Sequence, residues 1–327
     1  MKHRFLFSSG LPAEPLQAGR NGFRWTPVFC LLLILFSPCP VSADKEGRVL
    51  IINSDASVDR YRMAQEEFKN SISRPVEEVD LSREQGGTSR VGELMRDKRT
   101  ALVYCIGSKA YLTAVGYETG KSIVFSSALN WLRLPTRKGI FGVSDELHSG
   151  MQLTLFRFLF PSLKKIGVLY SRQYTSQWYM ETREAASKMG IEILGRPVSD
   201  GKLALAPLKG LLAGVDAIWL IPDPTVLSDR QDLFRLLAEC EAHKKAVFSF
   251  HEAFARYGVA LIASVDERTV GRQAAAMAVR LLGGKEIEEM VQPPAGSHIT
   301  LNLRRIKEYG LQYREGTLSS VDSIVEY

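Results

Sequence analysis

The chain has 327 residues, with 42 Lys/Arg against 36 Asp/Glu and 45% hydrophobic residues, the makeup of an ordinary folded protein. Four of the basic residues and one acidic residue fall within 1–43, so the remainder carries 38 basic and 35 acidic groups, a net of +3. That near balance, with no Lys/Arg run interleaved with aromatics, argues against nucleic acid as a partner.

The first segment carries Lys2, Arg4, Arg20 and Arg24, then an apolar run from Phe29 to Phe36, then Val41-Ser42-Ala43. A basic flank, a short apolar run and small residues at a cleavage position make a secretory signal, too short to anchor stably in a bilayer. The reading is a signal peptide over 1–43 and a mature protein that begins near Asp44 and works in the periplasm or another extracytoplasmic space. A lipid-modified Cys39 is disfavoured, because Pro38 stands where lipoprotein processing expects a small residue. Cys105 and Cys240 remain beyond the leader, both in apolar segments, and are expected as buried free thiols.

Next, Arg48 to Ser54 is a short β-branched run, as a doubly buried strand requires. A polar helix over 58–72, a strand from Pro75 to Leu81 and a helix over 88–97 follow. Ala101 to Ile106 is a strand, 108–118 a helix and Ser122 to Phe125 a strand. This alternation predicts a parallel sheet with helices on both faces. The segment 129–144 holds Pro135, Gly139 and Gly142 and reads as a hinge.

The same grammar then restarts. Gly150 to Phe160 is helical, followed by strands at Ile166–Tyr170, Ile191–Leu194, Ala217–Ile221, Ala246–Phe250 and Val259–Ala263, with helices between them. Thr269 to Leu282 carries the apolar stripe Val270, Ala274, Met277, Ala278 and Leu281, and Gly283-Gly284 stops it. His298 to Leu303 is a last strand, before a short helix at 304–309. The fold class expected is α/β, with two doubly wound parallel-sheet lobes joined by a hinge. The first lobe is placed at 44–140, completed by 267–297, and the second at 141–266, completed by 298–327.

Several chemistries lack their motif. No Gly-x-Gly-x-x-Gly follows the first strand, and Gly283-Gly284-Lys285 ends a helix instead of opening one, so nucleotide binding is disfavoured. No His-x-x-x-His or Cys-x-x-Cys supports a metal site. Gly142-Val143-Ser144-Asp145-Glu146 falls short of a nucleophile elbow. No catalytic residue, metal or cofactor is expected.

In open parallel sheets, ligands sit beyond the carboxyl ends of the strands. Those ends select Ser54, Gly107-Ser108, Ser127, Asn130-Trp131, Asp223 and Asp266. Gly107 allows close backbone approach, and the helix start at Ser108 offers free N–H groups to a carboxylate, or Ser108 simply caps the helix. Asp223, held between Pro222 and Pro224, can pair with an ammonium or cap the helix near Ser228. Trp131 and Tyr174 lie in loops or at a helix start, where a ring can stack on a ligand or serve packing. His251 and Glu252 are the weakest candidates, since surface exposure explains them equally.

Taken together, Ala101-Leu-Val-Tyr-Cys-Ile-Gly-Ser108, Gly142-Val-Ser-Asp145, Pro161-Ser-Leu-Lys-Lys-Ile-Gly-Val-Leu-Tyr170, Val215-Asp-Ala-Ile-Trp219, Gly271-Arg-Gln-Ala-Ala-Ala-Met-Ala278 and Ile299-Thr-Leu-Asn302 carry a resemblance. Over nearly all of 48–310 the chain resembles the substrate-binding proteins of ABC importers, the group with a type I periplasmic-binding fold that includes aromatic amino-acid binders. The resemblance implies that Ser54, Ser108, Ser127 and Asp223 line a cleft between lobes. It also exposes a departure. Where many members carry Asp-Pro after the fourth strand, this chain has Ser127-Ala-Leu-Asn-Trp131, so a ligand ammonium lacks one expected partner.

The reading is an extracytoplasmic, monomeric, non-enzymatic receptor that closes two lobes on an amino acid or related organic solute and docks on a membrane permease. The alternatives are a ligand-presenting sensory or adaptor protein and an exported enzyme on a flavodoxin-like scaffold.

Overall fold

The structure, a computed structural model, describes residues 47–83 and 89–326. The segment expected to be a secretory leader, with its expected cleavage site and Cys39, lies outside the described residues. Among the described residues, no helix is long and apolar enough to cross a membrane.

Short buried runs form β1 (Arg48–Asn53), β2 (Val76–Asp80), β3 (Thr100–Ile106), β4 (Ser122–Ser126) and β5 (Ile140–Val143). They alternate with α1 (Asp59–Ser71), α2 (Ser89–Arg96) and α3 (Ser108–Val115). After α4 (Ser149–Leu159) come β6 (Lys165–Tyr170), α5 (Ser176–Lys188), β7 (Glu192–Pro197) and α6 (Leu205–Leu212). These lead to β8 (Ala217–Trp219), α7 (Arg230–Ala242), β9 (Ala246–Ser249) and β10 (Leu261–Val265). The chain continues through α8 (Glu267–Leu282), β11 (Val291–Gln292), β12 (Ser297–Asn302), α9 (Leu303–Glu308) and β13 (Ser323–Val325).

Among the described residues the strands make two sheets, ordered β11-β5-β4-β3-β1-β2 and β13-β12-β10-β9-β8-β6-β7. Every pairing is parallel except β10 with β12. The chain leaves the first sheet after β5, returns with α8 and β11, and leaves again before β12. Parallel neighbours demand helical crossovers, and the helices cover the sheet faces. Alternate residues of β1 feed different cores: Val49 and Ile51 one, Leu50 and Ile52 the other, all fully buried. In the second sheet, Phe156 of α4 meets Trp219 edge-on at 4.9 Å and Phe248 at 4.8 Å. Cys105 and Cys240 are buried and free, and burial pushes the Cys240 thiol up to about 12.

Two local readings change. The segment 129–144 is not hinge throughout, because Ile140–Val143 pairs with both β4 and β11 as β5. Gly142, which suggested flexibility, makes room for a ring: a Cβ there would stand 2.5 Å from Phe125. Two further strands stand outside the expected order: β11 pairs with β5 over two residues, and β13 with β12 over three.

One helix contact positions the site. A Cβ on Gly271 of α8 would lie 2.3 Å from the backbone oxygen of Ala64 on α1, so only glycine lets these helices approach so closely. One turn earlier on each helix stand Arg60 and Glu267. Helix geometry puts residues four apart on one face, so the close contact also brings these two charges together.

Candidate functional site

A cavity of about 510 Å³ opens where the two sheets meet. From the side of the first sheet it is walled by Arg60, Leu129, Asp145 and Glu267, and from the second by Phe250, His251, Glu252 and Asp266. Arg60 opens α1, Asp145 follows β5, and Asp266-Glu267 begins α8, so the charged wall is built from the chain crossings themselves. Asp266 caps α8 by accepting from Arg268 N–H at 3.1 Å, which places Glu267 in the first turn, where a carboxylate suits the helix dipole.

Arg60 is the centre of the cluster. Its Nε donates to Glu267 Oε1 at 2.7 Å and its Nη2 to Asp145 Oδ1 at 2.5 Å. Two buried carboxylates thus share one guanidinium, with Asp145 2% and Glu267 7% exposed at the side chain. Burial alone would lower the Arg60 pKa, and the two carboxylates more than reverse that. Burial also raises Asp145, against the pull of Arg60. Glu267 is raised by burial and then by Asp145, to about 7. Asp145 Oδ2 is buried and accepts no hydrogen bond. Glu267 Oε2 accepts from Ser127 Oγ at 2.8 Å. Behind Ser127, Ser126 Oγ lies 2.7 Å from the buried Tyr104 hydroxyl.

On the opposite wall, His251 Nδ1 accepts from Ala253 N–H at 3.1 Å, so the ring proton belongs on Nε2. That nitrogen lies 3.2 Å from Arg60 Nη1, donor facing donor. Burial and then Arg60 lower the His251 pKa to about 4, which keeps the ring neutral. The contact between the two walls is therefore a poor hydrogen bond and easily exchanged. Glu252 is better held, accepting from Ser264 Oγ at 2.9 Å and Thr300 Oγ1 at 3.2 Å.

Of the nine residues expected from the strand ends, Asp266 lies on the cavity wall. Ser127 stands one hydrogen bond behind it, in a left-handed conformation with φ 54° that is costly for a residue other than glycine. Asn130, also left-handed at φ 54°, donates its N–H to Glu146 Oε1 at 3.1 Å. Burial pushes Glu146 up to about 7. Trp131 packs toward Phe125, ring centroids 6.5 Å apart. Ser54, Gly107 and Ser108 form a separate group. Ser54 Oγ accepts from Ala110 N–H at 2.9 Å and donates to Ile106 O at 2.7 Å, so its hydroxyl caps α3 from outside the helix. Gly107 supplies φ +83° at the helix entry, and Ser108 is partly exposed. Tyr174, expected to stack on a ligand, instead has the Arg133 guanidinium 4.7 Å from its ring centre.

Asp223 departs furthest from its ammonium-binding expectation. It is fully buried and accepts from the N–H groups of Ser171, Thr225 and Val226 at 2.6–3.0 Å, and from the Thr175 hydroxyl. Four donors leave its carboxylate no unmet demand, so it locks two loops together.

Sequence reading passed over Arg60, Asp145 and Glu267. Acidic groups beside the Ser127–Trp131 segment come from α8 through Glu267 and from the loop after β5 through Glu146. Among the described residues no group of His, Cys, Asp and Glu suits a metal ion. The arrangement offers a solvent-accessible, partly apolar chamber with excess negative charge, and its one buried guanidinium is already engaged.

Residues 66–325 match the profile of a family described as ABC transporter substrate binding protein. A curated tyrosine-binding protein from Clostridioides difficile (strain R20291) is 22% identical over 153 residues, which is 46% of this chain and 44% of that protein. The chain thus aligns with less than half the length of that relative. Among solved structures, a ligand-free, open substrate-binding protein with adhesive properties from Clostridium difficile superposes with TM-score 0.63 at 15% identity, covering 86% of this chain and 100% of that one. An ABC domain from Streptococcus pneumoniae in complex with L-Trp gives TM-score 0.58 at 17% identity over 86% of this chain and 100% of that one. At these identities the structural likeness speaks to fold, which is that of type I periplasmic binding proteins.

Proposed function

Because the chain belongs to the family of ABC transporter substrate-binding proteins, we propose that it is the extracytoplasmic receptor of an importer. In this reading a signal peptide at 1–43 exports it, and 44–140 with 267–297 closes against 141–266 with 298–327 on a small organic solute. A membrane permease then takes the solute from the closed form. The protein performs no chemistry on what it binds.

The observation that carries the reading is the chamber of about 510 Å³ walled by both sheets at the chain crossings. Such a chamber is completed only when both walls touch the ligand, so binding and closure are one equilibrium. The Arg60–His251 contact joins the walls and, outside the chamber, the Arg133–Tyr174 contact joins the two halves, neither with a strong bond, which suits a closure that must reverse. Relatives whose descriptions name tyrosine and L-Trp support a solute of metabolite size with an apolar body.

Native mass spectrometry of protein purified without unfolding tests this. A retained small molecule, released on denaturation and chemically unchanged after prolonged incubation, is the expected result. Turnover of that molecule by the protein would overturn the reading. So would the lack of any retained mass together with a silent metabolite-library melting screen.

A further inference from the structure

We propose that the solute of this chamber carries a protonated amine and no carboxylate, its amine against Asp145 and Glu267 and its apolar body against Leu129, Met63 and Phe250. The inference rests on the receptor reading above and names the charge class of the ligand.

The first support is the charge inventory. Asp59, Asp145, Glu252, Asp266 and Glu267 line the chamber, against Arg60, Arg268 and the imidazoles of His251 and His298. Asp59 is paired with Arg62, and His298 faces Ser323 and Asp322. Neither guanidinium is at a ligand's disposal. Arg60 is held by Glu267 and Asp145 on two sides and faces His251 on the third. Arg268 is half exposed and donates to Glu67 at 3.0 Å. His251 is neutral and supplies no cation. A ligand carboxylate that reached Arg60 would therefore lie beside two carboxylates of the protein, with no free positive charge to offset the repulsion.

The second support is independent of the inventory. Asp145 lines the chamber, and its Oδ2 is buried without a hydrogen-bond donor. Buried carboxylate oxygens are ordinarily paired, and this protein pairs both oxygens of Asp223. The other buried carboxylate oxygen without a hydrogen bond among the described residues, Asp80 Oδ2, lies outside the chamber. An ammonium group brings three donors and a full charge, enough to meet Asp145 and Glu267 together. The remaining wall is apolar through Met63, Leu129, Phe250 and Val265, which suits a hydrocarbon or aromatic body.

Three probes that share one ring separate the possibilities: tyramine (amine only), L-tyrosine (both groups) and 3-(4-hydroxyphenyl)propionate (carboxylate only). They are titrated calorimetrically into the purified protein. Tyramine is expected to bind about tenfold or more tightly than L-tyrosine, and the propionate not at all. Glu267→Gln should weaken tyramine about tenfold while the variant still unfolds cooperatively, and Asp145→Asn serves the same purpose if that variant fails to fold. L-tyrosine binding equal to or tighter than tyramine, measurable propionate binding, or silence of all three would overturn the inference. A co-purified solute that lacks an amine would overturn it too, yet leave the receptor reading standing; only silence of the whole library with no retained mass removes both.

Discussion

Asp145 and Asp223 are both buried carboxylates at the exit of a parallel strand, yet they do opposite things. Asp223 faces three backbone N–H groups and a hydroxyl and needs no counter-charge. Asp145 has one charged partner, Arg60, which it shares with Glu267, and one oxygen with no donor. The first is a finished joint between two loops. The second is an unfinished constellation opening on a chamber. Burial of a charge therefore does not by itself mark a binding site, and neither does a missing hydrogen bond, since Asp80 Oδ2 lacks one away from the chamber; at Asp145 the two features coincide with a cavity.

Substitutions can break or sharpen that contrast. Asp223→Ala is expected to have the largest effect. Each buried donor left unpaired costs roughly 1–3 kcal/mol, so the loss should reach several kcal/mol. Chemical denaturation measures it, and the remaining folded protein should keep its preference among ligand charges. A change in that preference would make Asp223 a ligand contact after all. Arg60→Met comes next, at about 3–5 kcal/mol near neutral pH, because it leaves two buried carboxylates without a cation. Acid should restore part of this loss as those groups take up protons.

Gly271→Ala is smaller, at roughly 1–3 kcal/mol of overpacking. Its Cβ would press on the Ala64 carbonyl and push α8 from α1, so it should also separate Arg60 from Glu267 and weaken ligand binding. Melting and titration of the same variant check both effects. Glu267→Gln alters the pH dependence of stability. The folded pKa of Glu267, pushed up to about 7, lies above the unfolded carboxylate value of about 4.3. Its contribution is thus full below about pH 4.3 and is lost as pH rises through about 7. The variant lacks that loss, so its melting temperature should gain on the parent's between about pH 5 and about pH 8. His251, lowered to about 4 by burial and by Arg60, works the other way and removes stability as pH falls from about 6.5 to about 4. It is present in both proteins and largely cancels from the comparison. Arg133→Ala should be smallest, about 0.5–1 kcal/mol, seen as a shift toward the open form.

The two sheets were legible because their strands are short, β-branched runs buried on both faces, Val49 to Ile52 being the clearest. The α8 stripe was legible for the same reason at helical period. β5 was obscured by Gly142, whose missing side chain serves the Phe125 ring and not a bend. β13 follows a stretch without periodicity and is three residues long, too short to announce itself. The charged cluster was the least legible part. Arg60 meets Asp145 and Glu267 across 85 and 207 residues of sequence, and nothing local pairs them. A signal did exist in the small residues of Gly271 to Ala278, which mark a face that lets another helix come close. Glu267 lies one turn before Gly271. Asp223 between two prolines reads equally as an ammonium partner or a cap of the helix near Ser228, and its four donors come instead from two loops, which no local pattern announces.

The central claim is that a solute joins two walls and closes them. Small-angle X-ray scattering, with and without a saturating ligand found by the screen, tests it most directly. The account predicts a smaller radius of gyration on binding in the parent protein, and in Asp145→Asn the same compaction only at about tenfold higher ligand concentration. A ligand that saturates the protein while the scattering curve stays unchanged, or one that compacts Asp145→Asn at the same concentration as the parent, would contradict it.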